Sequence, residues 1–277
     1  MGDRTHELKQ KTRLDVAVVE RGLAPSRERA RALILAGQVR VNGLVVSKAG
    51  TSIAGDAELS LSEPDHPYVG RGGVKLAHAL RVFAIPVDGR LALDVGASTG
   101  GFTDVLLRSG ARQVVALDVG HGQLDWKLRN DARVIVIERV NARALTAGQL
   151  PDAARAFDIV TMDLSFISLR QVLPAIAPLL APGADLVALV KPQFEAGRDE
   201  VGKGGLVRDP VVQARVVEDV TRAADALGLT RVAATDSPIA GAEGNREIFL
   251  HFRRTSDVGP RTSDPAPSSI LRPPSSD

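Results

Sequence analysis

Four charged residues at the ends of predicted segments, Lys75, Asp163, Lys191 and Glu247, are of types that move protons. Lys75 stands in R-G-G-V-K-L, Asp163 in T-M-D-L-S-F, Lys191 in L-V-K-P-Q-F-E and Glu247 in G-N-R-E-I-F-L. Two lysines with two carboxylates suit removal of a proton from a weakly acidic alcohol. Partial burial and a neighbouring cation lower a lysine's pKa, while a carboxylate orients the base and stabilises developing positive charge. Lys191 follows the apolar run 186–190, and a lysine buried there needs a reason. Taken singly, each of the four reads equally well as a surface charge or an ion-pair partner.

A second constellation is the glycine-rich stretch L-A-L-D-V-G-A-S-T-G-G-F-T at 91–103. Its letters G-A-S-T-G, with Ser98 in the middle, match a hydrolase nucleophile elbow. An elbow requires an acid and then a histidine downstream. Only His121 and His251 follow, and His121 comes directly after the second predicted strand of the region. Asp118 ends that strand 22 residues after Gly96, near the spacing at which dinucleotide-type folds place a ribose-binding carboxylate. Asp94 before the loop, and Gly100-Gly101 within it, allow a close backbone approach. The stretch therefore reads as a cofactor loop with Ser98 as a small lining residue. It lacks the G-x-G-x-x-G spacing of nicotinamide and flavin sites. D-x-G-x-x-x-G-G-F-T instead resembles the first motif of S-adenosylmethionine-dependent methyltransferases, whose cofactor carries no pyrophosphate but has an amine and ribose hydroxyls for acids to bind. With such a cofactor, the lysine and carboxylate set suits in-line methyl transfer to an alcohol. No histidine or carboxylate cluster points to a metal, and none is expected.

Such residues work together only if a sheet brings their segment ends to one edge. Between residues 70 and 253, short apolar strands alternate with amphipathic helical segments, which predicts a mostly parallel α/β sheet covered on both faces. Strands are expected near 90–96, 113–120, 133–139, 157–165, 185–195, 230–237 and 246–252. The last two have no helix between them, so an antiparallel strand at the sheet edge is expected. In such sheets chemistry sits at the carboxyl ends of strands, where Asp163 and Lys191 fall. Trp126 and Phe166 read as core or cleft packing.

Residues 12–63 form a separate, basic, α+β segment: helices over 14–19 and 26–36, with Ser26 as N-cap, and a hairpin turning at Asn42-Gly43. Arg13, Arg21, Arg27, Arg31, Arg40 and Lys48 are its candidate phosphate ligands. Aromatic residues are scarce, so structured RNA is expected over stacked single strands. Residues 1–11 form an extension, 64–73 a linker and 254–277 a Pro- and Ser-rich tail that is expected to be disordered. The catalytic segment is then 74–253.

Composition sets limits on function. The chain has 277 residues, no cysteine and a net charge of +2. Disulfide frameworks, thiolate zinc sites and cysteine nucleophiles are excluded, and a reducing compartment fits. The N-terminal M-G-D-R-T-H-E-L-K-Q has no apolar core like that of a secretory signal. The apolar run 172–190 is broken by Pro174, Pro178, Pro182, Gly183 and Asp185, so no stable membrane association is expected. Cytoplasmic location and a monomer are the expectations.

The motifs V-G-R-G-G-V-K-L, L-D-V-G-A-S-T-G-G-F-T-D-V-L-L, M-D-L-S-F-I-S-L and L-V-K-P-Q-F-E-A-G together resemble the TlyA (hemolysin A) family. These are ribosomal RNA 2′-O-ribose methyltransferases with an FtsJ-like catalytic domain, and the resemblance covers residues 12–253. It implies a Rossmann-like seven-stranded sheet whose last strand is antiparallel, and S-adenosyl-L-methionine as cofactor. Ribosomal RNA or a ribosomal subunit would be the partner and cytidine the target. The family tetrad falls on Lys75, Asp163, Lys191 and Glu247. Lys191 would be the base on the ribose 2′-hydroxyl, Asp163 and Lys75 its assistants, and Glu247 would position the nucleotide. Cofactor contacts would fall on Asp94, Gly96, Ser98, Gly100, Gly101, Phe102, Asp118, Asn141 and Asp163. The segment 12–63 is similar to the S-four-type RNA-binding domain. Many relatives carry a serine where Gly70 stands here, and the glycine is expected to loosen the linker. A membrane-damaging hemolysin and a non-catalytic RNA chaperone are the competing readings.

Overall fold

The computed structural model describes residues 11–24, 26–61, 66–151, 156–241 and 244–255. The extension 1–11, apart from Lys11, and the tail beyond Thr255 lie outside the described residues, as do residues 64 and 65 of the linker.

The N-terminal module runs β1 (Lys11–Arg13), α1 (Leu14–Glu20), α2 (Arg27–Leu35), β2 (Val39–Val41), β3 (Leu44–Val45), β4 (Ser52–Ala54) and β5 (Leu59–Leu61). Ser26 caps α2, its hydroxyl accepting from the Arg29 amide at 3.2 Å. Asn42 and Gly43 both take positive φ, 50° and 80°, as a two-residue hairpin turn requires. Leu14, Val18, Ile34 and Val39 fill a small core between the helices and strands.

The larger module contains α3 (Arg71–Phe83), β6 (Leu91–Val95), α4 (Gly101–Arg108), β7 (Gln113–Leu117), α5 (Trp126–Arg129) and β8 (Val134–Ile137). It continues with β9 (Phe157–Met162), α6 (Leu169–Ile176), β10 (Leu180–Val190), α7 (Pro192–Glu195), α8 (Pro210–Asp225), β11 (Leu229–Asp236) and β12 (Ile248–Arg254). Among the described residues these strands form a seven-stranded sheet in the order β11-β12-β10-β9-β6-β7-β8. The neighbours from β10 to β8 are parallel, and β12 is antiparallel to both β10 and β11. The antiparallel strand is thus the last one, but it is inserted between β10 and β11 and does not lie at the edge. The apolar content of I-F-L-H-F explains this: Phe249, Leu250 and Phe252 are fully buried, as an interior strand requires.

Alternation along each strand sorts side chains between two cores. Leu91, Leu93 and Val95 face one core, while Ala92 faces the other, against α3 and α4. Leu186, Ala188 and Val190 of β10 join the first core, Val187 and Leu189 the second. Chain order reverses between β6 and β9: β7 and β8 lie to one side, β9 and β10 to the other. The crevice at the strand ends there is the switch point where open α/β sheets bind ligands.

Candidate active site

Strand parity assembles the four charged residues. Asp163 lies two positions beyond Thr161, and Lys191 two beyond Leu189. Glu247 lies two before Phe249, and Phe249 and Leu189 both face α3 and α4. Because β12 runs antiparallel and pairs Ile248 with Val190, Glu247 at its start reaches the edge where β9 and β10 end. Helix α3 packs on this face and supplies Lys75. Lys191 Nζ lies 2.6 Å from Asp163 Oδ1, and Lys75 Nζ donates to Glu247 Oε2 at 2.5 Å. All four side chains are at most 20% exposed. Lys191 also donates to Ser165 Oγ at 3.0 Å. A Cβ on Gly241 would overlap the Glu247 carboxylate, so only glycine leaves it room.

The charges act on one another as a network. Burial pushes the Asp163 carboxyl up, but the Lys191 and Lys75 ammonium groups outweigh it and leave its pKa below the ordinary value. Burial pushes Lys191 down, yet the Asp163 and Glu247 carboxylates outweigh that and raise its pKa. This reverses the expectation of a depressed lysine: Asp163 lies in contact and Glu247 adds a second negative charge, so the resting Lys191 is an ammonium.

The glycine loop follows β6. Gly96 has φ 87°, and a Cβ there would overlap the Asp163 carbonyl, which explains glycine at this position. Ser98 adopts φ 49°, unusual for a side-chain-bearing residue, and its amide donates to Asp118 Oδ2 at 2.8 Å. Gly120 N donates to Asp118 Oδ1 at 2.6 Å. A cavity of about 760 Å³ opens between this loop and the tetrad. Gly96, Ser98, Gly101, Phe102, Asp163, Lys75, Lys191 and Glu247 are in its walls, and Lys48 and Val45 of the N-terminal module close one side.

Asp94, Gly100, Asp118 and Asn141, read from the sequence as direct cofactor contacts, do not line this cavity. Asp94 is fully buried and accepts from Thr103 Oγ1 at 2.7 Å and Thr161 Oγ1 at 3.1 Å, tying α4 and β9 to β6. Burial, only partly offset by the two threonines and reinforced by the Asp163 charge, raises its pKa to about 7. The open side of Gly100 faces Leu124 and Leu128. Asp118 holds two backbone amides and shapes the loop, and Asn141 caps a short 3-10 turn by accepting from the Arg143 amide at 3.0 Å.

In the N-terminal module, Arg13, Arg27 and Arg31 converge on Asp15, a fully buried carboxylate that sequence reasoning missed. These arginines hold its pKa well below the ordinary carboxylate range and stay about half exposed, so a cationic face is organised over one buried anion. An acid in the first turn of a helix, two residues after Arg13, was the available signal. Arg21 and Arg40 spend donors on local carbonyls, Arg21 on Gly55 and Ala57 and Arg40 on Gly43. Arg29 pairs with Asp125 at 3.1 Å across the two modules. Gly70, expected to loosen the linker, is not in an open stretch. It precedes α3, is buried, and a Cβ there would come within 2.8 Å of Thr99 Oγ1 in the glycine loop.

The model of the FtsJ-like methyltransferase family matches residues 68–254, and that of the S4 domain matches residues 12–59. A 16S/23S rRNA (cytidine-2′-O)-methyltransferase TlyA of Mycobacterium tuberculosis is 50% identical over 250 residues, covering 90% of this chain and 92% of the relative. The chain belongs to the TlyA family. Hemolysin A of Brachyspira hyodysenteriae is 42% identical, covering 87% of this chain and 99% of that protein. A solved Streptococcus thermophilus protein described as a candidate hemolysin superposes with a TM-score of 0.69 at 42% identity, covering 89% of this chain and 90% of that one. The chain is a methyltransferase with an S4-type RNA-binding module. No helix among the described residues is long and apolar enough to cross a membrane.

Within this TlyA-family fold, Trp126 and Phe166 take the cleft alternative of the expected core or cleft packing. Phe166 is 91% exposed at φ 66°, three residues beyond Asp163, and its ring lies 5.2 Å from that of Phe194 at the cavity wall. Trp126 is 62% exposed and lines a cleft of about 590 Å³ between the modules with Arg29, Tyr68 and Arg108. Neither is a core residue.

Proposed function

We propose that the chain transfers a methyl group from S-adenosyl-L-methionine to a ribose 2′-hydroxyl of ribosomal RNA, at cytidine, in the cytoplasm. One observation carries this reading: two lysine–carboxylate pairs lie in a cavity walled by the glycine loop and by the RNA-binding module. The cavity fits the cofactor in size and chemistry. Its volume is in the range of small-molecule sites, Gly96, Ala97, Ser98 and Gly101 form a wall of small residues, and Asp163 offers a carboxylate to a cationic ligand. When bound, the cofactor supplies an electrophilic methyl group on sulfur. Gly96, Ser98, Gly101 and Phe102 would hold it.

Lys191 takes the proton from the 2′-hydroxyl once it has lost its own, and Asp163 and Ser165 aim its Nζ. Lys75, fixed by Glu247, holds positive charge beside Asp163, so that carboxylate stays ionised and can stabilise the lysinium formed. The exposed Phe166 face suits stacking by an unpaired base, and the arginines over Asp15 suit phosphates. The substrate named for the Mycobacterium relative agrees with this assignment.

The test is ribose-methylation mapping on ribosomal RNA incubated with the purified protein and labelled cofactor. Methyl groups on cytidine 2′-oxygens are expected, with loss of transfer in Lys191→Ala. Leakage of lipid vesicles by the same preparation with no methyl incorporation would overturn the reading.

A further inference from the structure

We propose that Glu195 is a positioning residue that locks the two active-site loops together, so that Lys191 and the Phe166 ring meet the same nucleotide; this rests on the function proposed above. The loop after β9 carries Asp163, Ser165 and Phe166, and the turn after β10 carries Lys191, Phe194 and Glu195. Three links join them. Lys191 reaches Asp163 and Ser165, Phe166 leans on Phe194, and Glu195 crosses to the start of α6. The first link takes part in the chemistry and the second is open to solvent. Only the third lies outside the reacting groups and is buried, with Glu195 4% and Ser168 7% exposed.

The Glu195 carboxylate is fully engaged. Oε2 accepts from Ser168 Oγ at 2.5 Å and Arg170 Nε at 3.2 Å, and Oε1 accepts from the Leu169 amide at 2.6 Å. Arg170 returns to the Glu195 carbonyl at 2.9 Å. The Leu169 amide is in the first turn of α6, where backbone donors have no helical partner and the helix dipole favours negative charge. An apolar contact would fill the same space, but it would not set the distance and direction between the loops as these bonds do. Phe166 shows what needs holding. A non-glycine residue at φ 66° is strained and persists only where its surroundings enforce it. Ser168 and Leu169, two and three residues on, are the points that Glu195 clamps. Burial raises the Glu195 pKa, so its carboxylate depends on this full set of donors.

The test compares the full chain with Glu195→Ala, Glu195→Gln and Ser168→Ala in single-turnover methylation of ribosomal RNA, alongside calorimetric binding of S-adenosyl-L-methionine. Misplacement of a reacting group by about 1 Å costs about 10²-fold in rate, so Glu195→Ala is expected to slow transfer by about that factor with cofactor affinity unchanged. Glu195→Gln keeps an oxygen for the Leu169 amide and an NH2 for Ser168 Oγ but no acceptor for Arg170 Nε, and should recover part of the rate lost in Glu195→Ala. Wild-type rates in Glu195→Ala, or a rate loss matched by an equal loss of cofactor affinity, would overturn the proposal. If Glu195→Ala does not fold, Ser168→Ala decides: slower transfer at unchanged affinity supports the brace, and an unchanged rate overturns it. Absence of ribose methylation by the wild-type protein would instead defeat the underlying function, separately from this role.

Discussion

Lys191 is an ammonium in the resting site, and this makes the pH dependence of methyl transfer a sharp test. Asp163 Oδ1 lies 2.6 Å away and Glu247 adds a second negative charge, so its pKa lies above the ordinary 10.5 in spite of burial. A lysine at its ordinary pKa is neutral in about one molecule in 10³ at pH 7.5, and a raised pKa lowers that fraction further. If the neutral amine takes the 2′-hydroxyl proton, that fraction limits the rate. Single-turnover transfer then rises about tenfold per pH unit, roughly hundredfold between pH 7 and 9. Asp163→Asn removes the opposing charge. A contact ion pair near a protein surface is worth about 4 kcal/mol at an effective dielectric constant of 20, so the lysine pKa falls by one unit or more even after screening. The variant's profile should therefore reach its plateau at lower pH than wild type, although its maximum rate is lower because Lys191 has lost its aim. Rapid-quench incorporation of labelled methyl into a ribosomal RNA fragment, at saturating cofactor and constant ionic strength, gives both curves. A wild-type rate that is flat from pH 7 to 9 while chemistry is limiting would refute Lys191 as the base in this charge state. Superimposable curves for wild type and Asp163→Asn would refute the electrostatic origin of the shift.

Asp94 predicts a pH effect on stability. Its pKa rises from 3.8 unfolded to about 7 folded, so between those values the native state holds the extra proton and stability falls as pH increases, by roughly 4 kcal/mol in all. Asp94→Asn should remove this slope, so chemical denaturation at pH 5 and pH 8 should show the variant gaining on wild type at the higher pH; a pH-independent difference would refute the shift. Asp15→Ala separates organisation from charge in the RNA-binding module. The substitution makes the module more positive, so electrostatics alone predicts tighter RNA binding, whereas loss of the anchor for Arg13, Arg27 and Arg31 predicts weaker binding. Weaker binding is expected in salt titrations with a ribosomal RNA fragment, and equal or tighter binding would show that the buried carboxylate does not organise the face.

The elements were legible where local chemistry decides them. Apolar runs located the strands, except that the one expected at 185–195 runs Leu180–Val190 and gives way to helix α7 (Pro192–Glu195), while Ser26 marked a helix start and Asn42-Gly43 a hairpin, because caps and primed turns depend on one or two residues. The meeting of Asp163 and Lys191 was legible too, since strand ends share an edge; Lys75, on helix α3, and Glu247 were joined to them only by the family resemblance. What a carboxylate does once it arrives there was not legible. Asp118 sits at the expected strand end, yet its oxygens turn to the Ser98 and Gly120 amides, and Asp94 turns to two threonines, one of which is 67 residues away. These choices depend on which donor lies within about 3 Å, a quantity with no counterpart in spacing along the chain. The direction of the Lys191 shift failed for the same reason: composition supplied two cations and two anions, and only geometry says that each lysine faces a carboxylate. That pairing bears on mechanism. A site whose lysines are stored as ion pairs holds little neutral amine at rest, and it gains more only when something disfavours the ammonium. Lys75 is one of the cations in the cavity wall, with Lys48 and Arg71, and it is itself held by Glu247. Glu247 is one of the two carboxylates that hold Lys191 protonated, so whatever neutralises Glu247 would favour loss of the Lys191 proton. The role expected of Glu247 from the sequence, positioning the nucleotide, then acquires a second consequence: a hydroxyl that engages Glu247 would help to arm the base that deprotonates its neighbour.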